Sequence, residues 1–275
     1  MPTLTRNHEF WAEYDWPAAG DEWSVAWGGT ATLWSGTLLP RLLPFVPVGT
    51  MLELAPGYGR ATQYLKELCD RLIVVDLSER CIAACRERFA AARNIEYHIN
   101  DGTSLAMVPE RAIDCVISYD SLVHAEAAVL HGYLRQLADK LTPDGVGWIH
   151  HTNMAAVIGP LAPGAAPPDI HWRAHDMSAD LFVEFCREAG LVCMAQEIID
   201  WGGHPRLDCF SVFTRPGSRF DRPYRRVEND GFMAEAARLR TIAELYGGAP
   251  RPAGSAPTAS RPSALDRMRR WLRRA

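Results

Sequence analysis

Glu53 lies within an apolar run, Met51-Leu-Glu-Leu-Ala-Pro-Gly-Tyr-Gly-Arg60, just ahead of a turn carrying Gly57 and Gly59. Glycines there let the backbone pass close to a ligand. The dinucleotide fingerprint G-x-G-x-x-G needs glycine at 55 and 60, where this chain has Ala55 and Arg60. A carboxylate at 53 also repels a pyrophosphate and suits a cationic ligand end, such as an amino group. Asp76 ends a second apolar run 23 residues later, where an acid accepts hydrogen bonds from ribose hydroxyls. Asn100-Asp101-Gly102 ends a third run, and there Asp101 is placed to accept from an exocyclic adenine amine.

A second set of residues has the chemistry of an acceptor site. It consists of Ser118-Tyr119-Asp120-Ser121, His124 four residues after Asp120, and the pair His150-His151 at the end of a strand. Neighbouring strand residues face opposite sides, so at most one of the two histidines is expected to face the crevice, the other packing in the core. A neutral imidazole, assisted by Asp120, would act as general base on a sugar or phenol hydroxyl. The alternatives are a divalent ion such as magnesium held by Asp120, His124 and His151, or plain structural roles. Trp172 and Arg173 follow a Pro/Gly/Ala-rich insertion and offer an aromatic face and a hydrogen-bonding fork. Trp201 is expected on the opposite wall and Trp23 on a covering arm.

The elements that must position these residues alternate. From Thr50, β-branched apolar runs (TMLELA, RLIVVDL, IEYHI, AIDCVISY, GVGWIHH) alternate with amphipathic stretches expected as helices over 61–69, from Ser78 and from Glu126. Ser178 or Asp176 is placed to cap a helix over 179–189. Two last strands, LVCMAQEIIDW and DCFSVFTR, form a hairpin that closes the sheet edge. The expectation is an α/β fold with a seven-stranded, mostly parallel Rossmann-like sheet, helices on both faces and the last strand antiparallel. Residues 1–48 form an arm with five of the nine tryptophans, either packed on the core or folded over a ligand as a lid. Residues 49–215 form the main domain, 216–247 a helical extension, 248–264 a Pro/Gly/Ala/Ser linker and 265–275 a basic amphipathic tail with five arginines.

Composition narrows the function classes. A net charge of −4 and a pI near 6.1 give no field for gripping nucleic acid. No apolar run approaches the ~20 residues of a membrane span, and the N-terminus lacks a signal-peptide pattern. Seven cysteines, an odd number, argue for buried thiols in a reducing cytoplasm; Cys81 and Cys85 have ligand spacing but no partner pair.

The set ELAPGYGR, VVDLS, NDG and ISYDSLVH, in that order, resembles the class I S-adenosylmethionine-dependent methyltransferases over roughly residues 50–215. The resemblance implies S-adenosylmethionine as cofactor and assigns Glu53, Ala55, Gly57 and Gly59 to the glycine-rich loop. It assigns Asp76 and Leu77 to the ribose, Asp101 and Gly102 to the adenine, and Ser118, Tyr119 and Asp120 to the methionine part. Ala55 stands where the family usually has glycine, a departure expected to cost little. The fuller pattern, with HWRA and DCFSVFTR, is similar to bacterial methyltransferases of surface-polysaccharide and glycoconjugate assembly. That likeness implies a sugar or glycan hydroxyl as acceptor, carried on a lipid at the inner membrane face that the basic tail would touch. A homodimer is the expected assembly. A small-molecule phenol or amine acceptor, or a cofactor-binding scaffold without catalysis, are the competing readings.

Overall fold

The computed structural model describes residues 2–160 and 165–247. The linker 248–264 and the basic tail 265–275 lie outside the described residues.

The chain opens with α1 (Leu4–Glu13), a 3-10 segment Asp21–Trp27, α2 (Thr30–Leu33) and α3 (Leu39–Leu42). The α/β core follows as β1 (Val48–Leu54), α4 (Thr62–Leu65), β2 (Cys69–Asp76), α5 (Glu79–Arg88), β3 (Ile95–Ile99), β4 (Ile113–Ser118), α6 (Ala127–Lys140) and β5 (Leu141–Thr152). Then come α7 (Met154–Ile158), α8 (Ala179–Glu188), β6 (Val192–Trp201), β7 (His204–Thr214), β8 (Arg225–Asn229) and α9 (Phe232–Gly247). Ser78 and Ser178 cap α5 and α8, their hydroxyls accepting from Cys81 N and Leu181 N. Asp176 instead accepts from Ala127 N, at the start of α6.

The sheet has eight strands, not seven, in the order β3-β2-β1-β4-β5-β7-β6-β8. β7 runs antiparallel to both β5 and β6, as expected of the last strand of the main domain. The β6–β7 hairpin does not form the edge, because Arg225–Asn229 pairs in parallel with Ala195–Ile199. That segment, RRVEN, has no buried side chain, so no apolar pattern marks it as a strand. The helix expected over 61–69 is only four residues long: Leu68 C=O accepts from Val48 N and the chain is already extended as β2 from Cys69.

Strand alternation divides the core. Met51, Val74, Ile117, Trp148 and Phe210 face the arm, α4, α5 and α9; Leu52, Ile73, Val116, Ile149 and Phe213 face α6 and α8. Trp27 of the arm and Phe232 of α9 are wholly buried on the first face, each contributing about 1.5–3 kcal/mol. Arg41 fastens this layer, pairing with Glu197 of β6 at 2.8 Å and Glu235 of α9 at 3.2 Å. Among the described residues no helix is long and apolar enough to cross a membrane.

Candidate active site

β1 and β4 are neighbours from which the strand order runs in opposite directions, and a crevice opens at their carboxyl ends. The cavity there measures about 690 Å³, within the ~300–1,000 Å³ of small-molecule sites. The arm roofs it through Leu4, Asn7, Trp11, Trp16 and Trp23, so the arm is at once packed on the core and folded over the cavity.

In one half, Glu53 is buried on the arm side of β1, its Oε2 accepting from Thr62 Oγ1 at 2.7 Å. Burial pushes its carboxyl up to about 7, with the Asp76 charge adding and Thr62 opposing. Asp76 accepts from Ser78 N at 2.8 Å and Gly57 N at 3.3 Å, and burial pushes it up to about 6. Neither carboxylate meets a cationic side chain among the described residues. Gly57 has φ +57°, and a Cβ there would come within 2.7 Å of Trp16, whose ring stacks on Tyr58 at 4.6 Å. Gly59, at φ +83°, would meet Phe89 in the same way. Ala55 is itself left-handed at φ +54°, so the substitution for glycine carries backbone strain. Leu77 and Gly102 line the cavity. Asp101 does not: its Oδ1 accepts from Thr103 N, Thr103 Oγ1 and Ser104 N, which spends it on a turn facing solvent. Ser118 is likewise internal, donating to Leu54 C=O at 2.9 Å, whereas Tyr119 reaches the cavity under the Arg60 guanidinium.

The other half rests on a buried chain of charges. Arg60 Nη2 pairs with Asp120 Oδ2 at 2.8 Å, and Arg173 grips Asp208 with Nη2–Oδ2 at 2.6 Å and Nε–Oδ1 at 3.0 Å. Burial works against the Asp208 charge, yet the Arg173 guanidinium and His150 hold it well below the usual carboxylate range. Arg173 is therefore not the free fork expected for an acceptor. His150 Nδ1 accepts the main-chain N–H of Asp120 at 3.1 Å, which places the ring proton on Nε2, 3.3 Å from Asp208 Oδ2. Neither nitrogen has a lone pair for a substrate, and His150 does not line the cavity. His151 faces the opposite layer, stacked on Phe182 at 4.5 Å and bonded to Ser211 Oγ at 2.7 Å. With the sheet between them, Asp120, His124 and His151 do not converge, and among the described residues no group of three His, Cys, Asp or Glu is arranged to hold a metal.

His124 is different. Its Nδ1 lies 2.6 Å from Trp172 C=O, an acceptor only, so Nδ1 carries the proton and Nε2 keeps a lone pair with no partner among the described residues. Burial, reinforced by Arg173, pushes this imidazole down to about 4, which keeps it neutral at physiological pH. It lines the cavity beside Trp11. Trp172, Trp201 and Trp23 also line it, Trp172 stacked on Phe10 and Trp23 at the rim. Sequence reasoning missed Asp208, the first residue of DCFSVFTR and the acid of an otherwise apolar run, and Arg60, read only as a missing glycine.

Residues 51–145 match the family model described as methyltransferase domain. The chain carries an S-adenosylmethionine-dependent methyltransferase domain. No curated protein matches the chain significantly. The methyltransferase is similar to solved structures at low identity. One is a protein of Pyrococcus horikoshii OT3, with TM-score 0.55 and 20% identity over 75% of this chain and 98% of that one. Another is the DhpI complex with S-adenosylhomocysteine, with TM-score 0.51 and 20% identity over 78% and 95%. A third is phosphoethanolamine N-methyltransferase 1 of Haemonchus contortus, bound to phosphoethanolamine and S-adenosylhomocysteine, with TM-score 0.56 and 15% identity over 89% and 56%. These likenesses show the fold. Two acids of the methyltransferase have the chemistry for the cofactor: Glu53 lacks a cation and would take the amino group, and Asp76 would take the ribose hydroxyls, while the space beside Gly57 is filled by the Trp16 ring.

Proposed function

We propose that the protein methylates a hydroxyl of a sugar or glycan, with His124 as general base. Bound S-adenosylmethionine supplies an electrophilic methyl group on a sulfonium. The chain supplies position and a proton acceptor. His124 Nε2 takes the proton from the attacking hydroxyl while Nδ1–H stays on Trp172 C=O, whose dipole stabilises the imidazolium that forms. Trp172, Trp201 and Trp23 line the cavity with aromatic surface for a sugar ring, Trp172 backed by Phe10 and Trp201 by Phe232. Arg60 holds Asp120 as an ion pair, so Asp120 shapes the floor. The observation that carries this reading is the 2.6 Å contact of His124 Nδ1 with Trp172 C=O, which calls for the proton on Nδ1 and leaves the Nε2 lone pair in the cavity wall. The net +4 of residues 265–275 supports contact with an anionic membrane surface, as a lipid-linked glycan would require.

The test is methyl transfer from radiolabelled S-adenosylmethionine to a panel of monosaccharides and lipid-linked glycans. His124→Ala is expected to lower kcat 100-fold or more, as loss of a general base does, and to leave calorimetric binding of S-adenosylhomocysteine unchanged. One observation favours a second reading. Acids lining the cavity (Glu22, Glu53, Asp76, Asp120, Glu126) outnumber its guanidiniums (Arg60, Arg173), which suits a cationic amine. An amine acceptor needs no base once deprotonated, so turnover indifferent to His124→Ala selects that reading.

A further inference from the structure

Asn7 is the one buried residue of α1, in a helix otherwise half-buried or exposed. A buried amide is stable only when both its ends are bonded. Its Nδ2 donates to His124 C=O at 2.7 Å, and its Oδ1 accepts from Trp172 Nε1 at 2.9 Å. Those two partners are joined directly, His124 Nδ1–H donating to Trp172 C=O. The three bonds form a closed triangle between segments far apart in sequence: the arm, the turn after β4 and the insertion after β5. Leu4 N, donating to Glu126 Oε2 at 2.9 Å, pins the same helix next to it. At the Trp172 corner the backbone is unusual: His171 and Trp172 are consecutive non-glycine residues at φ +48° and +55°. Such conformations persist where surrounding contacts over-determine them, and here the Asn7 bond to the indole is one of those contacts.

We infer that Asn7 is a positioning residue for His124. By holding the His124 main chain and the Trp172 indole together, it keeps the Trp172 carbonyl on Nδ1 and so keeps the Nε2 lone pair directed at the acceptor. The arm is then part of the machinery that sets the base as well as a cover. The role requires a donor and an acceptor on one short side chain: Asp keeps only the acceptor, Leu keeps neither. The inference rests on the reading of His124 as base, but its first test does not need turnover.

That test is ¹⁵N NMR of the histidine side chains in the full chain bound to S-adenosylhomocysteine, with His124→Gln used to assign the signal. The wild type is expected to show one His124 tautomer, protonated at Nδ1. Asn7→Leu and Asn7→Asp are expected to show exchange between tautomers and a shifted His124 titration, with S-adenosylhomocysteine affinity within twofold of wild type. On whichever acceptor the wild type methylates, both variants should lose about 10- to 100-fold in kcat with little change in the KM for S-adenosylmethionine, the scale of a misplaced group. Trp172→Phe, which deletes the indole N–H and keeps a ring, is the second variant should α1 fail to dock when Asn7 is replaced. An unchanged single His124 tautomer in these variants overturns the positioning role. Turnover indifferent to His124→Ala, with the Asn7 variants still releasing the tautomer, overturns the base reading alone.

Discussion

The main-chain N–H of Asp120 donates to Nδ1 of His150 across 3.1 Å, and this bond decides which histidine can act as a base. It commits the His150 proton to Nε2, 3.3 Å from Asp208 Oδ2, and leaves His150 no lone pair to offer the cavity. His151 anchors one layer, and His150 completes the charge chain under the other.

Asp208→Asn should therefore act on stability before it acts on chemistry. It leaves the buried Arg173 guanidinium with only Asp120, 3.9 Å away, as counter-charge, and breaking one partner of a buried pair costs about 3–5 kcal/mol. Urea unfolding should show that loss. Replacing both residues by apolar ones, Arg173→Met with Asp208→Leu, should recover much of it. A stable Asp208→Asn protein with selectively lost turnover would assign Asp208 a direct catalytic role.

Cofactor binding should depend on pH through Glu53 and Asp76. Both are pushed up by burial in the folded protein, Glu53 from 4.5 to about 7 and Asp76 from 3.8 to about 6. Between pH 4 and 7 the folded state therefore holds more protons than the unfolded one, and the cofactor-free protein loses stability as pH rises through that window. For Glu53 alone the loss is about 3 kcal/mol. An amino group opposite Glu53 favours its ionised form, so binding releases a proton below pH 7 and affinity weakens on acidification. Calorimetry in buffers of different ionisation enthalpy counts that proton. Glu53→Gln should bind more weakly, without this proton release, and should flatten the stability profile.

Ala55→Gly should raise stability by about 0.5–1 kcal/mol. Glycine adopts φ +54° without the Cβ penalty, and this gain exceeds the entropy it adds to the unfolded chain. The urea midpoint measures it, and a fall would place the strain elsewhere.

That Glu53, Gly57 and Asp76 lie side by side along the cavity was readable in the sequence because their geometry is local. A strand, a tight turn and a second strand bring Glu53, Gly57 and Asp76 together within 24 residues, and the spacing alone carries that information. Asp101 misled because a carboxylate two residues from Thr103 can serve its own turn as well as a ligand. β8 escaped because an exposed edge strand needs only its backbone bonds.

The acceptor half was decided by tertiary structure. Strand periodicity requires His150 and His151 to face apart, but only packing against Phe182 and Asp208 says which way each turns. The pairs that build the floor and fix the base, Arg60 with Asp120, Arg173 with Asp208 and Asn7 with His124, are 35 to 117 residues apart. No periodicity links such positions: the residue types set what each can bond, and only the folded chain brings the partners within reach.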